Sequence, residues 1–307
     1  MKKILVSGLI NTETTVRVRQ FPVNYYPIDY PFFGVNTAVS GVAYNIAKAL
    51  ATLGNDVRFF TMIGKDFPAE YIRSELRAGG IGTEGVREKL SQTPSSVVLY
   101  DGEGKRQIYC DLKDIQETDY GFCEADCGDA DLVVACNINF NRPLLRAAKA
   151  AGKTIATDVH VLTDIHDEYN REFMACADIL FLSDEGIGWD YRWFLEELAN
   201  VYECKIIVLG RGGKGAAIFI RSENRIYELP AVQVGEVANT VGAGDALFSG
   251  FVHYYAKGFR PLEALIRAEL FASAKIRTSG ASMGFVTGEE LEGFYNEHGW
   301  KIKEGIR

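Results

Sequence analysis

Residues 239–256 read NTVGAGDALFSGFVHYYA, a turn with two glycines and an aspartate just before a long apolar run of helical character. Gly242 and Gly244 remove side chains where the chain turns into a helix. The freed N–H groups then point outward, with the positive end of the helix dipole behind them. Such a turn is a cradle for an oxyanion or a phosphate. Asp245 falls in the first helical turn, where its carboxylate can take a proton from a hydroxyl that attacks the cradled phosphorus. An ordinary capped helix with an acidic first turn is the alternative.

Two segments nearer the amino terminus carry polar residues where a ligand would lie. Ser40-Gly41-Val42-Ala43-Tyr44-Asn45 opens a helical pattern in which Gly41 allows close approach and Asn45 lies on the same face. Asn11 and Glu13 follow the first predicted strand and alternate onto one face of an extended chain. Ligands of α/β proteins bind at the carboxyl ends of strands, so sugar hydroxyls could be held there. A satisfied core asparagine and a polar strand end are the alternatives.

Apolar runs of strand length alternate with helical patterns along the chain. The predicted strands are Ile4–Ile10, Asp56–Ile63, Leu132–Ile138, Thr154–Asp158, Ile179–Leu182 and Lys205–Leu209. The predicted helices are 42–53, with Ser40 as N-cap, then 144–151 and 193–201. Near-continuous apolar strands suit a parallel sheet that is covered on both faces, so the alternation predicts an α/β fold.

Two segments do not fit this alternation. Residues 21–36 (FPVNYYPIDYPFFGVN) are rich in proline and aromatic residues, and 95–101 with 106–112 flank a Gly-Glu-Gly-Lys turn that indicates a β-hairpin. A small β-sheet lid beside the main sheet would explain both, and core packing of the aromatics is the alternative for the first. We therefore expect a single domain over 1–307, with lid segments near 12–36 and 92–115.

Composition excludes several classes of protein. The 307 residues are 47% hydrophobic and 24% charged, which is typical of a globular chain. A net charge of −8 without a basic run argues against nucleic acid or an anionic membrane as a partner. No apolar stretch approaches the length of a membrane span. Scattered cysteines and a first apolar run too short for a secretion signal predict a cytoplasmic protein with reduced thiols.

Taken together, in this order and spacing, these segments resemble the ribokinase, or PfkB, family of sugar and nucleoside kinases. Gly242–Asp245 with its apolar helix is similar to the C-terminal signature of that family, which is specific, and Gly41–Asn45 is similar to its N-terminal signature. The resemblance runs from residue 4 to about residue 290. It implies a three-layer α/β/α fold with a central, mainly parallel sheet and a small β-sheet lid over the acceptor site.

The same resemblance implies transfer of the γ-phosphoryl group of ATP to a primary hydroxyl of a small sugar, with Mg²⁺ bridging the phosphates. Asp245 would be the general base, and the amides of Gly242, Ala243 and Gly244 would form the anion hole. The implied acceptor-binding residues are Asn11, Glu13, Gly41 and Asn45. The implied nucleotide-binding residues are Gly210, Arg211, Gly212 and Gly215.

The sequence differs from the family pattern at several positions of the motifs. Glu13 stands where an aspartate is common, and Ser40 replaces the first of two glycines. Asn239 replaces an aspartate that helps some members hold a monovalent cation, so such a cation is doubtful here. Ser183-Asp184-Glu185-Gly186 falls where an Asn-x-x-Glu motif tied to Mg²⁺ and phosphate is expected. Glu185 is the first candidate to act on the metal through water, and Asp184 is the alternative.

Alternative functions stay open at this point. The aromatics of 21–33 could stack on a base, which would make the chain a nucleoside kinase of the same family. The altered 183–186 motif favours a catalytically weakened sugar- or nucleotide-binding homologue. The exposed edge of a lid sheet could be covered by a second subunit in a homodimer. The sequence decides neither the acceptor, nor the phosphoryl donor, nor the oligomeric state.

Three further features of the sequence bear on chemistry. Gly210-x-Gly212-x-x-Gly215 matches a dinucleotide fingerprint, but 216–220 is predicted to be a strand where that fingerprint needs a helix. His160 follows Asp158 at a predicted strand end and could face the site. His253 is expected to be packed and satisfied within the apolar helix.

Overall fold

A computed structural model describes residues 1–188 and 190–307. The strands are β1 (Lys3–Ser7), β2 (Asn11–Arg17), β3 (Val35–Ser40), β4 (Asp56–Ile63), β5 (Val86–Glu88), β6 (Ser95–Tyr100), β7 (Arg106–Asp111), β8 (Leu132–Ala135), β9 (Thr154–Val161), β10 (Ile179–Ser183), β11 (Ile206–Gly210), β12 (Ala216–Ile220) and β13 (Arg225–Leu229). The helices are α1 (Val42–Thr52), α2 (Phe67–Ala78), α3 (Glu124–Cys127), α4 (Arg142–Ala150), α5 (Arg171–Cys176), α6 (Tyr191–Val201), α7 (Ala243–Ala256), α8 (Pro261–Lys275) and α9 (Gly288–Glu304).

The main sheet has nine strands in the order β13-β12-β11-β10-β9-β8-β1-β4-β5. The seven strands β11-β10-β9-β8-β1-β4-β5 pair in parallel. At one edge, β12 pairs antiparallel with β11, and β13 pairs antiparallel with β12. Alternate side chains of one strand enter opposite cores: Ile4 and Val6 pack with α1, α7 and α8, whereas Leu5 packs with α4 and α6. Helices thus cover both faces, and the expected three-layer α/β/α fold is confirmed.

Strand limits follow the apolar runs where the chain continues straight. β4 has the predicted bounds, but β1 ends at Ser7 and β8 at Ala135, three residues earlier than predicted. After β1 the chain crosses to a second sheet. After β8, the side-chain amide of Asn141 donates a hydrogen bond to the Cys136 carbonyl over 2.8 Å. This carbonyl is therefore not available for pairing with a neighbouring strand.

The second sheet has four strands in the order β3-β2-β6-β7. The predicted hairpin is confirmed, with Ser95 opposite Asp111 and Tyr100 opposite Arg106. The aromatic segment 21–36 links β2 to β3 and lies on the surface, where Phe33 is 100% exposed and Tyr25 88%. Core packing of these aromatics is therefore the wrong alternative.

Helix α1 begins differently from the prediction. Its N-cap is Gly41 rather than Ser40, which is the last residue of β3. Gly41 has φ 107°, and a Cβ there would lie 2.7 Å from the carbonyl oxygen of Leu9, so only glycine fits this close crossing of two chain segments. No helix within 1–188 or 190–307 is both long and apolar enough to cross a bilayer.

Candidate active site

The two signature segments meet in one direct contact. The side-chain amide of Asn45, on α1, donates to Oδ2 of Asp245, on α7, over 2.7 Å. These residues are 200 positions apart, and the meeting of α1 with α7 against the sheet brings them together. One carboxylate oxygen of Asp245 is thereby held in place.

The environment of Asp245 makes its carboxylate more basic than a solvated one. Burial raises the pKa of Asp245, and the hydrogen bond from Asn45 and the charge of His160 act in the opposite direction. Asp158 adds to the increase. Because the charges of Asp158 and His160 act on Asp245, the end of β9 lies close to the site, as the sequence suggested for His160. A carboxylate with a raised pKa is better suited to accept a proton from an alcohol.

The glycine turn provides open backbone donors. Gly242 adopts the left-handed conformation with φ 79°, and a Cβ there would lie 2.6 Å from the carbonyl oxygen of Ala281. The amides of Gly242 and Gly244 have no hydrogen-bond partner among the described residues, and a Cβ on Gly244 would enter open space. The amide of Ala243 instead donates to the Thr240 carbonyl over 3.1 Å, which closes the turn. Two of the three amides assigned to the anion hole are therefore free.

The residues assigned to the acceptor converge where the two sheets meet. Asn11 and Ser40 are opposite each other in the β2–β3 ladder. The Ser40 hydroxyl lies 3.4 Å from Oε2 of Glu13, and the Asn11 amide donates to Ser96 over 3.0 Å. Burial raises the pKa of Glu13, and the charge of Asp245 adds to this increase, so the two carboxylates are neighbours.

Two side-chain oxygens at this place are buried without a partner. They are Oδ1 of Asn11 and Oδ1 of Asn45, and neither has a hydrogen-bond donor in the described part of the chain. A buried acceptor that lacks a donor lowers stability by about 1–3 kcal/mol. Hydroxyl groups of a ligand would supply the missing donors.

The predicted nucleotide turn follows β11, as expected, and leads into β12 rather than a helix. The Arg211 amide donates to the Gly215 carbonyl over 2.8 Å. The Arg211 guanidinium lies 3.4 Å from Oε2 of Glu228 and 3.9 Å from the centre of the Tyr191 ring. Its charge is therefore directed to Glu228, whereas Nε is buried without a partner among the described residues.

Glu185 occupies an exposed turn directly after β10. The Asp184 amide donates to the Gly210 carbonyl over 2.9 Å, which joins this turn to the nucleotide turn. Within the described residues, no group of three or more His, Cys, Asp or Glu side chains could hold a metal ion by itself.

Comparison with known proteins identifies the family. The model of the pfkB family carbohydrate kinases matches residues 1–287. The chain belongs to this family. An ATP-dependent ribose-1-phosphate kinase of Halopiger xanaduensis is 25% identical over 82% of this chain and 84% of its own length. A cytidine kinase of Thermococcus kodakarensis is 24% identical over 76% of this chain and 86% of its own length.

Solved structures confirm the fold of this pfkB kinase. The ribokinase of Arabidopsis thaliana, complexed with ribose and ATP, superposes with a TM-score of 0.80 at 19% identity over 95% of this chain and 98% of that one. The ribokinase of Giardia lamblia superposes with a TM-score of 0.83 at 16% identity over 96% of this chain and 99% of that one. The chain is thus a carbohydrate kinase with a ribokinase-like fold, as the resemblance implied.

Sequence reasoning did not single out two residues that contact the site of this kinase. Ser96, on β6, accepts the hydrogen bond of Asn11, and Lys275, the last residue of α8, contacts the Val241 carbonyl. A serine in a strand and a lysine at a helix end are both ordinary in a sequence. Neither carries a signal that could have distinguished it before the structure.

Proposed function

We propose that this kinase transfers the γ-phosphoryl group of ATP to a primary hydroxyl of a small, uncharged sugar, with Asp245 as the general base. One observation carries the proposal: the partly buried Asp245 carboxylate, fixed by Asn45, lies in the first turn of α7 beside the open amides of Gly242 and Gly244. A base and an anion hole within one turn are what in-line phosphoryl transfer needs from a protein.

The proposed steps use these groups in order. Asn11, Glu13 and Asn45 bind the acceptor hydroxyls and direct the primary hydroxyl toward Asp245. The carboxylate takes the hydroxyl proton as the new O–P bond forms, and the bond between the γ-phosphorus and the β-bridging oxygen breaks, so ADP leaves with that oxygen. The amides of Gly242 and Gly244 donate to the γ-phosphoryl oxygens. Closure of the small sheet over the acceptor would exclude water, which competes as an acceptor.

The proposed nucleotide site is the edge formed by the turns after β10 and β11. Gly210, Gly212 and Gly215 shape the second turn, and Arg211 holds it through Glu228. Mg²⁺ binds proteins through one or two carboxylates together with phosphate oxygens and water, and Glu185 at this edge fits that pattern as a water-mediated ligand. The ion would neutralise phosphate charge. An ATP-using enzyme of this kind would work in the cytoplasm.

The charges of the pocket favour an uncharged acceptor over a phosphorylated one, and a sugar is the first candidate. The acceptor residues are two amides and a carboxylate, Glu13, with Asp245 next to it. Two carboxylates repel an acceptor phosphate, and amide oxygens without donors suit hydroxyl groups. A nucleoside is the second candidate, because exposed aromatics such as Tyr25 and Phe32 lie on the loop between two strands of the small sheet.

A phosphorylation screen tests the assignment. ADP release with MgATP would be measured for ribose, fructose, 2-keto-3-deoxygluconate, ribose 1-phosphate, adenosine, cytidine and uridine, each with a thermal shift in parallel. We expect turnover with one or more of the uncharged sugars. Turnover with nucleosides alone would replace the sugar with the second candidate. Stabilisation by a sugar without ADP release for any acceptor would favour a binding protein that has lost turnover.

The small sheet is also the proposed place for a second subunit. Its edge strand β7 is exposed along its whole length, with Ile108 and Tyr109 each 54% exposed. A two-fold partner that covers this edge would satisfy its free backbone groups. Light scattering on wild type and Ile108→Lys would test this, with a dimer expected for the first and a monomer for the second.

A further inference from the structure

Lys275 is a buried cation next to the glycine turn. Its side chain is 0% exposed, and its Nζ donates to the carbonyl oxygen of Val241. Burial lowers the pKa of Lys275 to about 8, and the charge of Asp245 works against that decrease. Burying an ammonium group is unfavourable unless it is compensated. Within the described residues, the hydrogen-bond partner of Lys275 is a carbonyl rather than a carboxylate. The positive charge of Lys275 is therefore not neutralised by a direct ion pair and acts on the groups around it.

The end of α8 and the segment after it hold the glycine turn in place. The amides of Ala238 and Asn239 both donate to the Ile276 carbonyl, over 2.9 and 3.1 Å. The Val241 amide donates to the Asn239 side chain over 2.8 Å, and Gly242 lies against the Ala281 carbonyl. Lys275 is thus part of a connected set of contacts that reaches the first amide of the anion hole.

The planarity of the peptide bond links Lys275 to that amide. The Val241 carbonyl and the Gly242 N–H belong to the same trans peptide plane and point in opposite directions. When the ammonium fixes the carbonyl oxygen on the inner side, it also fixes the Gly242 N–H outward. A rotation of this plane would turn a carbonyl oxygen toward the phosphoryl group and repel it.

We propose that Lys275 is a positioning residue that acts as a fixed internal cation, holding the Gly242 amide toward the transferred phosphoryl group and adding positive charge beneath it. The inference rests on the proposed function of the same turn. An exchangeable monovalent ion bound to the Val241 carbonyl could do the same work, so removing the lysine side chain should create a site for one.

The variants are Lys275→Met, which removes the charge but fills the space, and Lys275→Ala, which also leaves a cavity. Lys301→Met, on the exposed face of α9, is the matched control. Steady-state kinetics would be measured in choline salts and again with K⁺ or NH₄⁺ added, together with melting temperatures and ATP affinity by calorimetry.

Removing an anion-hole donor lowers kcat by about 10²–10³-fold. Loss of Lys275 leaves the Gly242 amide present but less well directed, so we expect a smaller decrease, of about 10–10²-fold. We expect this loss in both variants, with little change in the KM of the acceptor. NH₄⁺ or K⁺ should restore Lys275→Ala severalfold but leave Lys275→Met and wild type unchanged. The melting temperature of Lys275→Met should stay close to that of wild type, because removal of the buried charge offsets loss of the donor to the Val241 carbonyl.

Wild-type kcat in Lys275→Met would overturn the inference. So would a loss in Lys275→Ala that no cation relieves, together with a lower melting temperature of Lys275→Met, because the lysine would then be structural. If wild type phosphorylates no acceptor, the proposed function fails, and ATP affinity alone decides the inference. Weaker ATP binding by Lys275→Met would support it, and equal affinity would overturn it.

Discussion

Replacing Asp245 with asparagine should separate activity from stability. The asparagine oxygen can still accept the hydrogen bond from Asn45, so the geometry at 2.7 Å is kept while the base is lost. The amides of Gly242 and Gly244 stay in place, so the loss should be that of general-base catalysis alone. That is about 10²–10⁴-fold in kcat, or about 3–5 kcal/mol in the activation free energy.

The stability of the same variant should move in the other direction. Burial raises the pKa of Asp245 above its value in the unfolded chain. Between the unfolded pKa and the folded pKa, the folded state therefore binds more protons than the unfolded state. Stability therefore falls across that window, and above it the ionised Asp245 is destabilising. Asp245→Asn removes this charge, and its melting temperature should equal or exceed that of wild type.

A coupled assay for ADP and thermal unfolding measure the two effects. Asp129→Asn, an exposed aspartate paired with Lys3, is the matched control and should retain wild-type kcat. A kcat of Asp245→Asn within a few-fold of wild type would refute the role of Asp245 as base. A large loss of kcat together with a large fall in melting temperature would refute the claim that the geometry survives.

The remaining predictions concern the neighbours of Asp245, the glycine turn and a buried histidine. Asn45→Asp places a like charge beside Asp245, raises its pKa and should move the acid limb of kcat/KM to higher pH. Gly242→Ala should lower the melting temperature, because its Cβ would meet the Ala281 carbonyl at 2.6 Å, whereas Gly244→Ala should fold normally and lose kcat, because its Cβ enters the cradle. Burial lowers the pKa of His253 from 6.5 to about 4, so the unfolded chain takes up protons first as pH falls. Urea unfolding should show about 2 kcal/mol of stability lost between pH 7 and pH 5 through this residue, a loss that His253→Gln should not show.

Local chemistry made much of the fold predictable. The run from Asp56 to Ile63 is mostly apolar and lies between Asn55 and Gly64, and β4 has those bounds. Thr287 and Glu290 have the residue types and the spacing of a capping box, and the structure has one at the start of α9. Each of these signals is complete within a few residues, so no long-range contact is needed to interpret it.

The parts that could not be predicted depend on contacts between distant segments. Spacing placed Asn45 and Asp245 on two helices, but only the packing of those helices on the sheet brings the side chains to hydrogen-bond distance. The resemblance to the family implied the Ala243 amide as part of the anion hole, and the first-turn amides of a helix have no partner within the helix itself. The turn geometry assigns it to Thr240 instead, and this depends on the φ of Gly242, which the sequence alone does not give.

The distribution of unsatisfied polar atoms gives independent support for the site. Most buried polar atoms in proteins have partners, so each exception calls for a reason. Five side-chain atoms among the described residues are buried without one: Asn11 Oδ1, Asn45 Oδ1, Thr61 Oγ1, Arg211 Nε and His298 Nδ1. The two asparagine oxygens lie in the proposed acceptor site, and the Arg211 nitrogen lies in the proposed nucleotide turn. Chance would scatter such atoms over the whole core, whereas a site built for hydroxyls and phosphates leaves its acceptors and donors open until the ligands arrive.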